Sequence, residues 1–390
     1  MYPHQAERLD AALARLGVHA LIAASAANVA YITGYRSLSR EIDPATDVFA
    51  VYAPTGTALV IPTVDAPAVA AGDVAVEHVV CHGRFHLALA ARADQPARRA
   101  AELAATAVAS PAEALAVALR ALGVAHGAIG LDSAALTESS ARAVVEHLAG
   151  AKIQPASGTL AEARVIKGPY EIDCLQRALW LAEESIHDVL GELQAGITER
   201  EAAALYERAL GQRGARPSPT ILAFGANTAL PVAAPGDRAL RSGDLVRFDV
   251  GCVFKGYHAQ VARMAMLGEP TRDQQARYDA VEAGVDAVLA AIRPGAAARG
   301  VLDATIGAVR AAGIPAFERH HVGHGIGLEA AEAPWLAADG PALEAGMVLR
   351  VEAPLYELGA AGVQVKETVL VNNSGAAVMN RSNRGLIALD

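Results

Sequence analysis

The sequence predicts two domains in succession, a small α/β domain followed by a larger α+β domain. The chain has 390 residues, whereas a single domain usually contains about 100–200 residues. Apolar residues make up 53% of the chain and charged residues 19%, a composition typical of well-packed globular domains. The pattern of helices and strands changes near residue 155, so we expect domains at residues 1–155 and 156–390.

Alternating helix and strand patterns predict the first domain. An amphipathic helical pattern ends at Gly17, and the apolar strand pattern VHALIAAS follows it. The segments FAVYAP and TALVIP read as two strands around a glycine-containing turn. Ser110, followed by a proline and by Glu113 three residues later, marks the start of another helix. The segment AIGLDS is the last predicted strand of this α/β domain.

The second domain is predicted to begin with a long helix near Glu171. A second helix is capped by Thr198, with Glu201 three residues later. Two more helical patterns cover residues 273–292 and 298–311. Strand patterns lie between and after the helices in LVRFDVGCVF, MVLRVEAPLY and GVQVKETVLV.

Charge and composition exclude several classes of function. The formal net charge is −9, and the basic residues do not cluster, which argues against a nucleic-acid or anionic-membrane partner. No apolar run approaches the roughly 20 residues of a membrane-spanning helix. The first residues lack a secretory pattern, and three scattered cysteines form no disulfide framework. We therefore expect a cytoplasmic protein that acts on a small molecule.

Three of the predicted strands carry charged or polar residues in otherwise apolar sequence. Strand alternation assigns these residues to shared faces: Arg247 with Asp249, Arg350 with Glu352, and Gln364 with Lys366 and Thr368. Buried charges need partners that offset the cost of desolvation. The pattern predicts either a functional site or a solvated face of the sheet, and the alternation alone does not choose between them.

A second conspicuous segment combines histidines with glycines. His320, His321 and His324 lie among glycines at positions 323, 325 and 327. Glycine lets the backbone approach other groups closely, and histidine is both a common metal ligand and a near-neutral acid or base. A lone histidine is more often structural, but three within five residues favour a functional segment.

These segments together resemble the creatinase, aminopeptidase P and prolidase family, and the resemblance covers nearly the whole chain. NVAYITGY and RVIKGPYEIDCLQRA are similar to family motifs of the amino-terminal half and of the start of the second domain. Six more motifs follow in the family's order: FGANTALPVAAPGDR, GDLVRFDVG, GYHAQVAR, HHVGHGIGLE, VEAPLY and GVQVKETVLV. The resemblance implies a small α/β creatinase-like domain followed by a pita-bread domain that carries the site.

The resemblance also implies a changed metal centre. Metallopeptidases of this family hold two ions with five ligands, of which Asp249, His324 and Glu352 match three. The second aspartate falls on Gln260 and the last glutamate on Lys366, and these two are the carboxylates that bridge the ions in the family pattern. A catalytic site usually needs at least three protein ligands. We therefore expect no metal and no other cofactor.

The charge of Lys366 supports the same expectation. An ammonium repels a neighbouring cation by about 4 kcal/mol per unit charge at about 4 Å, with an effective dielectric constant of about 20. We expect Lys366 to replace the metal as counter-ion to Asp249 and Glu352. Two further family histidines are replaced by Val232 and Ala331, which puts proline-specific peptidase activity and simple creatinase activity in doubt.

The first hypothesis is a metal-independent enzyme that cleaves or rearranges a carbon–nitrogen bond in a small amino-acid-like or guanidino-like substrate. The predicted catalytic residues are His320, His324, Asp249, Glu352 and Lys366. The predicted substrate-binding residues are Arg263, Gln260, Arg350, Tyr257, Arg36 and Arg40. By resemblance we also expect a homodimer whose amino-terminal domain caps the neighbour's site, so that Arg36 and Arg40 would reach in from the partner.

Two alternatives remain open. The chain is a non-catalytic binding relative if the pocket closes over the Lys366 cluster without room for a ligand. It is an atypical Xaa-Pro dipeptidase if Asp249, His324 and Glu352 still hold a single weak metal. The intact glycine–histidine segment favours the enzyme, because a silent relative would be free to lose it.

Overall fold

The computed structural model describes residues 2–389, and the chain divides into two compact units. The first unit ends at Arg164 and the second begins at Val165, later than the boundary at residue 155 expected from the sequence. Within residues 2–389, no helix combines the length and the apolar character that crossing a membrane requires.

The first unit is a six-stranded mixed sheet with eight helices. Its helices are α1 Pro3–Leu16, α2 Ala26–Thr33, α3 Leu38–Ile42, α4 Ala66–Ala71, α5 Gln95–Ala105, α6 Pro111–Ala121, α7 Glu138–His147 and α8 Ser157–Ala163. Its strands are β1 Ala20–Ala23, β2 Phe49–Ala53, β3 Gly56–Pro62, β4 His78–His82, β5 Gly127–Leu131 and β6 Ala151–Pro155. The strand order is β4-β3-β2-β1-β5-β6, and this unit is the predicted α/β domain.

The local sequence features that predict these helices act as expected. Gly17 ends α1 with φ = 63°, a left-handed conformation that glycine adopts without steric cost. The Ser110 side chain accepts a hydrogen bond of 3.2 Å from the backbone N–H of Glu113 at the start of α6. The Thr198 cap of the second unit is confirmed in the same way, with Glu201 bonded back to it.

The described part of the second unit contains four α-helices and a ten-stranded sheet. Its helices are α9 Pro169–Leu190, α10 Glu199–Gln212, α11 Arg272–Ala291 and α12 Ala298–Ala311. Its strands are β7 Arg216–Pro217, β8 Ile221–Phe224, β9 Leu245–Phe254, β10 Tyr257–Leu267, β11 His321–Gly325, β12 Glu332–Ala337, β13 Val348–Glu352, β14 Leu355–Tyr356, β15 Gly362–Val363, β16 Lys366–Asn372, β17 Gly375–Val378 and β18 Ile387–Leu389. The main path of the sheet is β12-β11-β13-β16-β10-β9-β7.

Two of the predicted strands are each broken in two. MVLRVEAPLY forms β13 and β14, and GVQVKETVLV forms β15 and β16. Pro354 lies in the first break, where it offers no backbone N–H to a ladder. β14 and β15 pair with each other outside the main sheet, so the chain leaves that sheet just after Glu352 and rejoins it at Lys366.

The helices cover one face of the main sheet around the centre of β9 and β13. The Sγ atom of Cys252 in β9 lies 3.2 Å from the Ala178 carbonyl oxygen of α9. In β13, Leu349 and Val351 belong to the same apolar core as Val288 of α11. Because strand side chains alternate, the charged residues between these apolar ones point to the opposite face. That second face carries the predicted site.

Candidate active site

One row of residues crosses four neighbouring strands of the main sheet. Glu352 of β13 pairs with Lys366 of β16, and Lys366 pairs with Ala262 of β10. Ala262 pairs in turn with Asp249 of β9. Directly opposed residues in antiparallel strands point to the same face of the sheet. The row therefore places one carboxylate on each side of the Lys366 ammonium, with the small side chain of Ala262 between Lys366 and Asp249.

Lys366 is bound by both carboxylates. Its Nζ donates a hydrogen bond to Asp249 Oδ1 and lies 3.9 Å from Glu352 Oε2. Burial lowers the pKa of Lys366, and the charge of Asp249 opposes that change. The lysine occupies the expected counter-ion position, since it is only 3% exposed and its ammonium contacts both acids.

Arg350 adds a second cation beside the same glutamate. Its Nη2 donates to Glu352 Oε1 at 2.9 Å, and its Nη1 donates to Gln260 Oε1 at 2.7 Å. Burial alone would raise the pKa of Glu352, but Arg350 and Lys366 outweigh it and lower the pKa to about 2. Glu352 is therefore a fixed anion at neutral pH and holds both cations in place.

A third cation completes the network from β9. Gln364 Nε2 donates to Glu352 Oε2 at 2.8 Å, and Arg247 Nη1 donates to Gln364 Oε1 at 3.2 Å. The Arg247 guanidinium also lies over the Tyr356 ring, 5.3 Å from its centroid. Asp249, Arg247, Arg350, Glu352, Gln364 and Lys366 are all buried. The interpretation of these residues as a solvated face of the sheet is wrong.

Two histidines border this cluster in a neutral form. Burial is the main cause that lowers the pKa of His324 and of His321 to about 4 in each case, and the charge of Arg350 acts in the same direction. His324 Nδ1 lies 2.8 Å from the Gly325 carbonyl oxygen, a contact that requires a proton on Nδ1. In the neutral ring, Nε2 of His324 is then the acceptor nitrogen.

Trp335 of β12 packs against both rings. Its ring centroid lies 4.8 Å from that of His324 and 5.0 Å from that of His321. The glycines of β11 allow this arrangement. A Cβ added to Gly325 would lie 2.2 Å from the Ala333 carbonyl oxygen, and one added to Gly323 would lie 2.4 Å from the Arg350 carbonyl oxygen. Neither position has room for a side chain, because β11 is held closely between its two neighbours.

These residues do not fit a dinuclear metal centre. The two positions that the sequence resemblance matches to the family's bridging carboxylates hold the amide of Gln260 and the ammonium of Lys366, and neither supplies an anionic ligand. Both groups are also engaged, Gln260 by Arg350 and Lys366 by Asp249. Among residues 2–389, no group of three or more His, Cys, Asp or Glu side chains is arranged to hold a metal ion.

Two predicted substrate-binding residues, Arg263 and Tyr257, lie on the other face of the sheet. Arg263 directly follows Ala262, so its side chain points towards α9. It is 1% exposed, and its Nη2 lies 3.0 Å from Glu367 Oε1 and 3.6 Å from Glu183 Oε1. The predicted role of Arg263 in substrate binding is corrected, because its guanidinium is fully engaged within the core.

Tyr257 is corrected for the same reason. It lies an even number of residues from Arg263 along β10 and therefore shares its face of the sheet. Its hydroxyl donates a hydrogen bond of 3.1 Å to Glu171 Oε1 in α9, and the side chain is buried. Tyr257 anchors the helix layer and does not face the Lys366 cluster.

The remaining predicted residues are His320, Arg36 and Arg40. His320 is exposed, and its ring centroid lies 4.6 Å from that of His321. Arg36 and Arg40 lie in the first unit, where they line a pocket of about 290 Å³. Arg40 donates from Nη1 to the Ala24 carbonyl oxygen. Their contribution to a neighbouring subunit's site stays a prediction.

The sequence-based assignment omits several residues that the structure brings to the cluster: Arg247, Gln364, His321, Tyr356 and Trp335. Strand alternation places Arg247 and Gln364 on the site face, so the pattern that identified Asp249 and Lys366 could have included them. Nothing in the local sequence of Trp335 indicates its place, because that depends on β12 pairing with β11 through an irregular register.

An α/β amino-terminal unit, followed by a sheet with helices on one face and buried charged residues on the other, defines the creatinase/prolidase class of two-domain proteins. Residues 5–166 match the model of the creatinase/prolidase N-terminal domain, and residues 173–373 match the model of metallopeptidase family M24. The chain belongs to metallopeptidase family M24, and the expected fold is confirmed.

Individual relatives support the same assignment. An uncharacterised peptidase of Staphylococcus aureus (strain MSSA476) is 32% identical over 224 residues, which cover 57% of this chain and 64% of the relative. The chain thus spans less than two thirds of that relative's length.

Solved structures cover nearly the whole chain. An X-Pro aminopeptidase from Thermotoga maritima has a TM-score of 0.80 at 21% identity, covering 96% of this chain and 99% of that one. An Xaa-Pro dipeptidase from Bacillus anthracis has a TM-score of 0.79 at 24% identity, covering 99% of both chains. At these identities the structures establish the fold alone.

Proposed function

We propose that this chain is a metal-independent enzyme that cleaves or rearranges a carbon–nitrogen bond in a small amino-acid-like or guanidino-like substrate. The contact of Lys366 with Asp249 and Glu352 carries the proposal, because a fixed ammonium occupies the position of a bridging carboxylate. The same contact neutralises the acids that would otherwise attract a divalent ion.

The cluster supplies the groups that hydrolysis of such a bond requires. A base takes a proton from water, the water oxygen bonds to carbon, and the leaving nitrogen receives a proton as the bond breaks. His324 is the candidate base, because Nε2 of its neutral ring is an acceptor while Nδ1 carries a proton bound by the Gly325 carbonyl. Arg350 and Lys366 are the cations that would stabilise negative charge on the reacting centre.

The experiment combines metal analysis with a substrate panel. Purified protein is dialysed against EDTA, its metal content is measured, and N-acyl, N-carbamoyl and amidino amino acids are screened for products by mass spectrometry. We expect product formation without bound metal, and a loss of about 100-fold or more in His324→Gln. His187→Gln is the matched control, because His187 is exposed on α9. Absence of product from every compound would sink the proposal.

The comparisons favour a second candidate, an atypical Xaa-Pro dipeptidase with one weakly bound metal. The similar solved structures include an X-Pro aminopeptidase and an Xaa-Pro dipeptidase, and Asp249, His324 and Glu352 keep the residue types of three family ligands. This candidate requires Lys366 to leave Asp249 when the metal binds. Stoichiometric manganese, zinc or cobalt, together with EDTA-sensitive cleavage of Xaa-Pro dipeptides, would replace the first proposal with this one.

We also propose that the protein forms a homodimer in which the amino-terminal domain of one subunit covers the site of the other. The support is the family's architecture together with Arg36 and Arg40, two cations at one pocket of the first unit. Light scattering tests the dimer. If Arg36 reaches the neighbour's site, Arg36→Gln raises KM without changing the oligomeric state.

A further inference from the structure

The charged groups at the site do not balance one another. Four cationic side chains act on its titratable groups, namely Arg247, Arg319, Arg350 and Lys366. The carboxylates that act on the same groups are Asp249 and Glu352. Cationic side chains therefore outnumber carboxylates by four to two among these groups.

Arg319 is the cation that the predicted site and the family motifs leave unassigned. It directly precedes the histidine pair that leads into β11. Its charge acts on Glu352, on His321 and on Tyr356, so its guanidinium lies within electrostatic reach of groups on several strands. Arg319 is half-buried, whereas Arg247, Arg350 and Lys366 are buried.

The guanidinium groups also keep unused hydrogen-bond donors. Within residues 2–389, the Nε atoms of Arg247, Arg319 and Arg350 are buried without a hydrogen-bond partner. A buried donor without a partner costs free energy, and so does an excess of buried positive charge. An anionic ligand would relieve both costs at once, since guanidinium groups bind carboxylates through paired N–H donors.

We infer that the site takes a small substrate with two carboxylates, an N-substituted acidic amino acid, and that Arg319 is the residue that selects its second negative charge. The inference rests on the proposed function, because the bond to nitrogen is the one that the His324 side of the cluster would cleave. Arg350 and Lys366 hold the reacting end, and Arg319 holds the remote carboxylate. A neutral or cationic amino-acid derivative would leave the excess positive charge uncompensated.

Binding is measured without turnover, so that it does not depend on the reaction. Trp335 packs on His321 and His324, and Trp180 is the other tryptophan of the chain. In a Trp180→Phe background, Trp335 fluorescence reports occupancy of the site. The probes are N-acetyl-L-glutamate and N-acetyl-L-glutamine, which are nearly isosteric and differ by one negative charge. Both are titrated at pH 7.5 and constant ionic strength.

We expect N-acetyl-L-glutamate to bind about tenfold or more tightly than N-acetyl-L-glutamine. Arg319→Gln should bring the two dissociation constants close together, mainly by weakening the dianion, and Arg319→Lys should restore part of the preference. Arg299→Gln is the matched control, because Arg299 is exposed on α12. Its preference should equal that of the parent. Unchanged unfolding midpoints confirm that the variants are folded.

Three results would overturn the inference: equal affinity of the parent for the two probes, no binding of either probe, or equal losses in Arg319→Gln and Arg299→Gln. Failure of the proposed function is a separate result. A metal-dependent peptidase that still prefers the dianion would refute the proposed function and keep this inference. Metal-free cleavage of neutral substrates alone would support the proposed function and refute this inference.

Discussion

Lys366 and Asp249 face each other across Ala262, in one row of three neighbouring strands. The Lys366 side chain passes the methyl group of Ala262 and reaches Asp249, which the sequence resemblance matches to a metal ligand of the family. The ion pair is therefore set by the register of the sheet and does not depend on a flexible surface side chain. Its energetic and functional consequences are open to direct measurement.

Removal of the ammonium should destabilise the protein strongly. In Lys366→Met, Asp249 and Glu352 lose their shared counter-ion inside a buried cluster, at an expected cost of about 3–5 kcal/mol in the free energy of unfolding. Urea denaturation at pH 7.5 measures this loss. Lys152→Met, at an exposed lysine of the first unit, should stay within about 0.5 kcal/mol of the parent. Equal stability of the two variants would contradict the assigned role of Lys366.

Restoring both missing carboxylates should restore metal binding. In the double variant Gln260→Asp and Lys366→Glu, four carboxylates and His324 would supply the five ligands of the family. We expect stoichiometric binding of manganese or zinc after metal loading, measured by elemental analysis and by a raised unfolding midpoint. The single variants should bind less. A double variant that stays metal-free would contradict this prediction.

His324, which is buried, and His321, which is half-buried, should make the stability of the fold decrease in mild acid. Burial, assisted by Arg350, lowers the pKa of His324 and of His321 to about 4 from 6.5. The unfolded chain therefore binds more protons between pH 6.5 and 4, so stability present above pH 6.5 is lost as the pH falls through this window. Titration of the ring resonances by NMR measures both pKa values. His324→Gln should flatten the pH dependence of unfolding, whereas the surface variant His187→Gln should not.

Glu367, on the helix-covered face of the sheet, should give the stability of the fold the opposite pH dependence. Burial raises the pKa of Glu367 to about 7, although Arg263 opposes the change. Folding therefore favours the protonated acid, and the stability that Glu367 contributes below pH 4.5 is lost as the pH rises through 7. Relative to the parent, Glu367→Gln should gain about 1–3 kcal/mol between pH 5 and pH 8. A difference that is constant over this range would show that Glu367 is ionised throughout.

The sequence predicts the centre of the site better than its borders. Asp249, Glu352 and Lys366 follow from strand alternation, because a period of two fixes the face of every residue once one is known. The same rule separates Gln260 from Arg263 and Tyr257, which family motifs alone had grouped together. Trp335 and His321 reach the cluster through pairing between distant segments, and the irregular register of β11 with β12 cannot be read from local sequence.

The close packing around Gly323 and Gly325 affects what the glycine–histidine segment indicates when it occurs in other chains. Since any side chain at these positions would collide with the backbone of β12 or β13, a descendant without any chemistry would still need both glycines to fold. The two glycines are therefore required by the fold and give no information about catalytic activity. The intact segment does not favour the enzyme hypothesis over the hypothesis of a non-catalytic relative. A genome survey that sorts family members by the side chains at positions 260 and 366 would separate chains that bind metal from chains with a lysine at position 366. A search for the glycine–histidine segment would not distinguish these two groups.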